Sequence, residues 1–239
     1  MLVSLLAVGA LTTLLAQVDI RITAAGFAKP YYAVHVLHNA AIVALTASDV
    51  WGTLTDLHGA LCAPITWPAV WCVYALHLYH VLLYWRSFHR DDWLHHMLMI
   101  GVALPLGSVV PAGRLMGFSL FFTTGLPGGI NYALLFAERN GWVSRATEKA
   151  WNVPIHQWLR SPGCVAHGAL TLAAGLSAPE ASSFERAATV LVALLNVWNG
   201  VYFANQVLRA DALRKAEVAR ADGSNTGPTG GPNAAAALQ

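Results

Sequence analysis

Seven apolar runs follow one another along the chain, at about 2–17, 31–48, 63–85, 93–110, 114–137, 163–178 and 184–208, each closed by charges, by proline and glycine, or by both. A run of ~20 apolar residues is the length of helix that crosses a ~30 Å hydrocarbon core, where every backbone N–H and C=O must find its partner within the segment. Apolar residues make up 56% of the chain and charged residues 11%, against roughly 45–50% and about 25% in soluble domains. The sequence therefore predicts an all-α membrane protein of about seven transmembrane helices. The first and sixth runs are short for the bilayer and are expected to stand with little tilt.

Charge placement orients this arrangement, because Lys and Arg accumulate on the cytosolic side of short loops. With all seven runs spanning, the first, third and fifth loops and the C-terminal tail share one side. Of the 14 Lys and Arg, only Arg114 and Arg186 fall on the other. The N-terminus is then external or lumenal and the C-terminus cytosolic. Reading 2–17 as a cleaved signal peptide fails on two counts: no Lys or Arg precedes the apolar stretch, and cleavage would put the positive loops outside. The expected division is a first transmembrane helix and cytosolic loop over 1–27, a six-helix transmembrane domain over 28–210, and a disordered cytosolic tail over 211–239. Within the fifth loop, Trp142, Trp151, Ile155 and Trp158 at near-helical spacing among Arg139, Arg145, Lys149 and Arg160 predict an amphipathic helix on the cytosolic interface. The net charge of +2 gives no reason to expect a nucleic-acid partner. Cys62, Cys72 and Cys164, an odd count without a CxxC spacing, are expected as free buried thiols.

The ten histidines carry the functional signal. His35 and His38 open the second run, His77 and His80 lie in the inner half of the third, His95 and His96 open the fourth, and His167 opens the sixth. At 1.5 Å of rise per residue, all seven lie within about 12 Å of the cytosolic edge. Ionisable groups at that depth face a bundle interior or a wet cavity. Residues three apart share a helix face, so His35/His38 and His77/His80 each present a pair, and Tyr84 continues the second stripe. Asp92 precedes His95 by three residues and His96 by four, a spacing at which a carboxylate can fix an imidazole tautomer and raise its basicity. In the fifth run, Gly125-Leu126-Pro127-Gly128-Gly129-Ile130-Asn131-Tyr132 should kink or break the helix and free carbonyls for a polar partner, with Asn131 beside it.

The stretch Arg90-Asp91-Asp92-Trp93-Leu94-His95-His96-Met97 resembles the TLC domain family of multi-pass membrane proteins, which includes TRAM and the ceramide synthases. Tyr32 to Asp49, with His35 and His38, is similar to the early family helix carrying a Val-His or Leu-His pair, and Val73 to Tyr84 occupies the place of a further family helix. The resemblance implies an all-helical domain whose central cavity receives lipid tails, in the endoplasmic reticulum or another endomembrane. In the ceramide-synthase branch the matching pair, here His95 and His96, serves acyl transfer from acyl-CoA. That branch also carries a His-Asp-x-x-Asp pattern, where this chain reads Gly-Leu-Pro-Gly-Gly-Ile-Asn-Tyr. The expected function is therefore binding, sensing or regulation of lipids, with acyl-CoA-dependent acyl transfer as the alternative. Catalysis would fall to His95, His96 and Asp92. Ligand binding would fall to His35, His38, His77, His80, Tyr84, Asn131 and His167. No resident cofactor or metal is expected, and acyl-CoA enters only as co-substrate. Membrane lipids are the expected partners, with homo-oligomerisation or membership of a membrane complex left open. A histidine-ligated metal oxidase and a pigment- or haem-binding subunit are further alternatives. Retinal is disfavoured, because no lysine lies within 184–208.

Overall fold

The structure, a computed structural model, describes residues 2–110 and 112–225, and among these every regular element is helical. Four helices are long and apolar enough to cross a membrane: Leu2–Ala24, Pro30–Thr55, Leu115–Arg139 and Ser183–Arg220. The first of them, α1 (Leu2–Ala24), has 23 residues, so it is not short; apolar residues continue beyond position 17 on either side of Asp19. Helix α2 (Pro30–Thr55) starts on a proline, whose missing N–H costs nothing in a first turn. A short helix not expected from the sequence, α3 (Leu57–Cys62), follows. It is capped by Asp56, whose Oδ1 accepts from the Gly59 N–H at 2.9 Å. Then come α4 (Trp67–Tyr84), α5 (Arg90–His95), α6 (Leu104–Gly107), α7 (Leu115–Leu120), α8 (Leu126–Arg139), α9 (Arg145–Ile155), α10 (Ser161–Ser177) and α11 (Ser183–Asn225).

Three of the junctions are not breaks. His96–Ala103, Phe121–Gly125 and His156–Arg160 are π-helical and join α5 to α6, α7 to α8 and α9 to α10. Each stops two residues before a proline: Pro105, Pro127 and Pro162. A proline inside a helix donates no hydrogen bond and crowds the carbonyl four residues back. The helix accommodates this by widening, so that Leu104 N–H bonds Met99 O, Leu126 N–H bonds Phe121 O and Ser161 N–H bonds His156 O, five residues back in each case. The kink or break expected at Pro127 takes the form of a π-helical bulge in a continuous helix. The expected interfacial helix of the fifth loop likewise runs without interruption into the sixth apolar run. Trp142, Trp151 and Trp158 are exposed, but Glu148, Asn152, Ile155 and His156 are buried against the bundle.

The helices alternate between two ends. At one, the loop after α1 meets the loop after α8, with Ala28 N–H donating to Asn140 Oδ1 at 3.0 Å, and Tyr202 of α11 donates to Asp91 at 3.0 Å. At the other, Arg114 N–H donates to Ala60 O at 2.9 Å. Asp49 there meets Arg114 at 3.7 Å and accepts from Thr66 Oγ1 at 2.6 Å. Gly113, at φ 49°, lies against the carbonyls of Ala60, Leu61 and Ala63, where no Cβ fits. Helix α2 runs through the middle, its Ile42 packed with Val70, Val73, Leu104, Met116 and Leu120. Helix α11 continues as helix from 211 to Asn225, so that part of the expected tail is not an unstructured chain. Its Ala, Leu, Arg, Lys and Glu are good helix formers, and Asp211 pairs with Lys215 at 2.6 Å and Arg214 at 2.9 Å. Those two cations hold its carboxyl below the usual range. Positions 226–239 of the tail lie outside the described residues. All three cysteines are free, with Cys164 buried and Cys62 exposed, because Cys62 ends α3 at the rim of the bundle.

Candidate functional site

Three helical segments bring five histidines into one cluster. The ring of His35 on α2 lies 4.5 Å from that of His80 on α4, His80 lies 6.0 Å from His96, and His77 lies 5.0 Å from His96 and 5.6 Å from His95. Tyr132 of α8 covers His35 at 3.9 Å. In three of these rings the backbone settles the tautomer. The Nδ1 atoms of His35, His77 and His96 each lie 2.7 Å from a carbonyl oxygen four residues back, those of Tyr31, Val73 and Asp92. A carbonyl only accepts, so Nδ1 carries the proton and Nε2 keeps its lone pair in the neutral ring. The arrangement can accept hydrogen bonds, take up a proton or bind an electrophile.

His35, His77, His95 and Tyr132 of this cluster border a cavity of about 390 Å³ within the bundle. Along Arg90–Gly107 its wall passes from Asp92 and His95 to Met99, Ala103 and Leu104; along Leu115–Arg139 it passes from Met116 and Leu120 to Asn131 and Tyr132. Titratable and amide side chains crowd one end of the space; at the other, Met, Leu, Ala and Val predominate, with Ser119 bonded to Asn196 among them. The π-helical stretches all contribute to its wall: Met99 and Ala103 from the first, Thr123 and Thr124 from the second, His156 and Arg160 from the third. Widened helical turns recur at functional sites because they re-aim side chains that an α-helical register would point elsewhere.

The expected residues divide. His35, His77, His95 and Asn131 lie on the cavity wall, and His80 and His96 join the ring cluster behind it. His167 lines a separate part of the wall, with Nε2 3.0 Å from Thr171 Oγ1. His38 stays out of the cluster. Its Nδ1 donates to Asn39 Oδ1 at 2.9 Å, an oxygen that also accepts from Thr124 at 2.9 Å. Gly128 and Gly129 let α8 approach α2 at Asn39, so the Pro-Gly-Gly segment serves packing as well as the site. Tyr84 is turned to another task, donating to Asp19 Oδ2 at 2.7 Å beside Tyr79, which bonds the same oxygen. The Asp92 carboxylate reaches neither His95 nor His96. Its Oδ2 accepts from the His89 N–H at 2.8 Å at the helix start, and His96 is held through the Asp92 carbonyl instead.

Several wall residues went unread in the sequence. Glu148, Asn152, His156 and Arg160 recur every four residues, which is one helix face, and Asn196 and Asn199 form a polar pair three apart in the seventh apolar run. Both signals were there. The first was masked by the exposed tryptophans on the opposite face. Buried polar atoms without partners gather here: His95 Nδ1, His156 Nδ1, His167 Nδ1, Asn152 Oδ1, Asn199 Nδ2 and Arg160 Nε. Among the described residues no three His, Cys, Asp or Glu are grouped so as to hold a metal ion. No family model, curated protein or solved structure matches the chain.

Proposed function

We propose that this is a polytopic membrane protein of seven spans, of the TLC type, that binds a lipid tail in its central cavity and acts in lipid sensing or regulation in an endomembrane. The observation that carries the reading is the polarity of the cavity. A space of about 390 Å³ is enough for part of one acyl chain. Its lining, mostly Met, Leu, Ala and Val at one end and rich in His, Asn and Tyr at the other, suits an amphipathic ligand lying along the bundle. In water such a pocket would be a general apolar binding site; in a bilayer the most abundant ligand of that shape is lipid. The cation distribution supports placing the polar end, and the C-terminus, at the cytosolic face.

The test is lipid retention in purified protein. Wild-type protein should retain a defined lipid through detergent exchange, read by native mass spectrometry. Ala103→Trp, which fills the apolar end, and His95→Ala/His96→Ala, which strips the polar end, should both lose it while remaining monodisperse. Equal retention by both folded variants would overturn the reading. A second reading, acyl transfer, is favoured by the free Nε2 lone pairs. An imidazole at that position can take the proton from an amine or hydroxyl as it attacks an acyl-CoA thioester, the CoA thiolate leaving. Turnover by the same preparation with acyl-CoA and amine or alcohol acceptors would select it.

A further inference from the structure

The cations on the cavity wall are Lys149 and Arg160. Lys149 is paired with Glu148 at 3.2 Å. Arg160 takes part in no ion pair among the described residues, which join Arg114 to Asp49, Arg139 to Glu138, Lys149 to Glu148, and Arg214 and Lys215 to Asp211. Neutral groups surround it instead. The Asn199 Oδ1 lies 3.4 Å from Nη2, the Phe203 ring centroid lies 4.7 Å from Cζ, and Nε is buried with no partner. Carboxylates do line the same cavity, but each is engaged: Asp91 by Tyr202, Asp92 by the start of its own helix, Glu148 by Lys149 and Asn152. A half-buried guanidinium whose Nε is shut from solvent without a partner is costly, and such groups within membrane proteins mark ligand or ion sites.

Around this cation the unpaired atoms are of the kind that complete an anion site. Asn199 Nδ2 is a donor with no acceptor, and the imidazoles of His156 and His95 each present an unpartnered Nδ1. His156 lies four residues before Arg160 in the same helical segment, and the His95 ring lies 5.8 Å from the Phe203 ring on which Arg160 rests. We infer that Arg160, with Asn199 and His156, receives an anionic phosphate group at the polar end of the cavity. A guanidinium donates two parallel hydrogen bonds to phosphate oxygens, and the amide of Asn199 adds a third donor. The inference rests on the lipid-binding reading for the occupant's tail, while the phosphate itself comes either from a lipid headgroup or from a soluble phosphate.

The experiment measures three probes against delipidated full-length protein in detergent: dioleoyl phosphatidic acid, dioleoylglycerol with the same tails, and inorganic phosphate. Wild type should bind phosphatidic acid at least tenfold more tightly than diacylglycerol. Arg160→Gln should bring the two affinities to parity, and Arg160→Lys should keep a preference. Thermal stabilisation of wild type, but not of Arg160→Gln, by phosphate alone would assign the site to a soluble source; stabilisation by phosphatidic acid only assigns it to the headgroup. Equal binding of the two lipids by wild type overturns the anion site and leaves the lipid cavity standing, and this comparison needs no variant to fold. Failure of both lipids to bind overturns the lipid reading. If phosphate also has no effect, the anion site falls with it.

Discussion

Asp19 shows what a single residue does inside this bundle. It interrupts an apolar helix, yet it is buried against α4, where Tyr79 and Tyr84 both donate to its Oδ2 and Thr23 approaches Oδ1 at 3.4 Å. Hydrogen bonds between membrane helices are individually modest, ~0.6 kcal/mol on average, but those to a charged acceptor reach ~1.5–3 kcal/mol. Tyr79 is fully buried and Tyr84 only partly. Tyr79→Phe should therefore destabilise the protein by about 1–2 kcal/mol and Tyr84→Phe by less, the difference appearing as the order of their unfolding temperatures in one detergent. Wild-type stability in Tyr79→Phe would mean that the contact contributes nothing. At this scale the sequence was half legible. Paired histidines at helical spacing announced a polar layer, and five of the seven met. What spacing does not contain is rotation about the helix axis relative to neighbours, which sends His38 to Asn39, Tyr84 to Asp19 and the Asp92 carboxylate to its own helix start.

The elements add a feature that hydrophobic periodicity hides. The apolar runs at 2–17 and 31–48 fall on helices, 114–137 does so from Leu115 and 93–110 as far as Gly107, but the widened turns ahead of Pro105, Pro127 and Pro162 shift the register in the middle of three of the long helical segments. Periodicity counts residues and assumes 3.6 per turn, so everything N-terminal to such a turn is aimed differently from the count. The prolines themselves were visible; that the helices widen and continue, with no break, is not contained in residue spacing, and the third helix packs directly on the second widened turn, Gly163 lying against Phe122. The third turn carries His156 and Arg160, so its register should matter to binding. Pro162→Ala restores the missing N–H and permits an ordinary α-helical turn. It should leave the fold intact, with equal or greater thermal stability, and weaken retention of the cavity's lipid by several-fold because the side chains of 156 and 160 rotate away. Unchanged retention would show that the turn is held by its packing and not by the proline.

For the molecule as a whole, surface and ends have to agree with one another. Leu5, Leu82, Met97 and Leu194 are each more than 60% exposed on the outside of the bundle, a surface that would associate in water and is ordinary in lipid. Exposed tryptophans flank it: Trp51 and Trp67 towards one end, Trp85, Trp93, Trp142, Trp151 and Trp158 towards the other, as interfacial aromatic belts require. The second end also holds the loops rich in Lys and Arg, so it is the one that should face the cytosol. This gives a test of span number and orientation together. In sealed endomembrane vesicles with the cytosolic face outward, single cysteines at Ala25→Cys and His89→Cys, in a background without the native thiols, should react with a membrane-impermeant maleimide at once. Native Cys62, kept as the lone thiol, and Glu180→Cys should react only after the membrane is opened. The reverse pattern would invert the topology and place the histidine cavity on the lumenal side. If Cys62 and His89→Cys were labelled from the same side, the helix between them, Trp67–Tyr84, would not cross, and the bundle would have to be rebuilt around the four helices whose length and composition alone suffice to span.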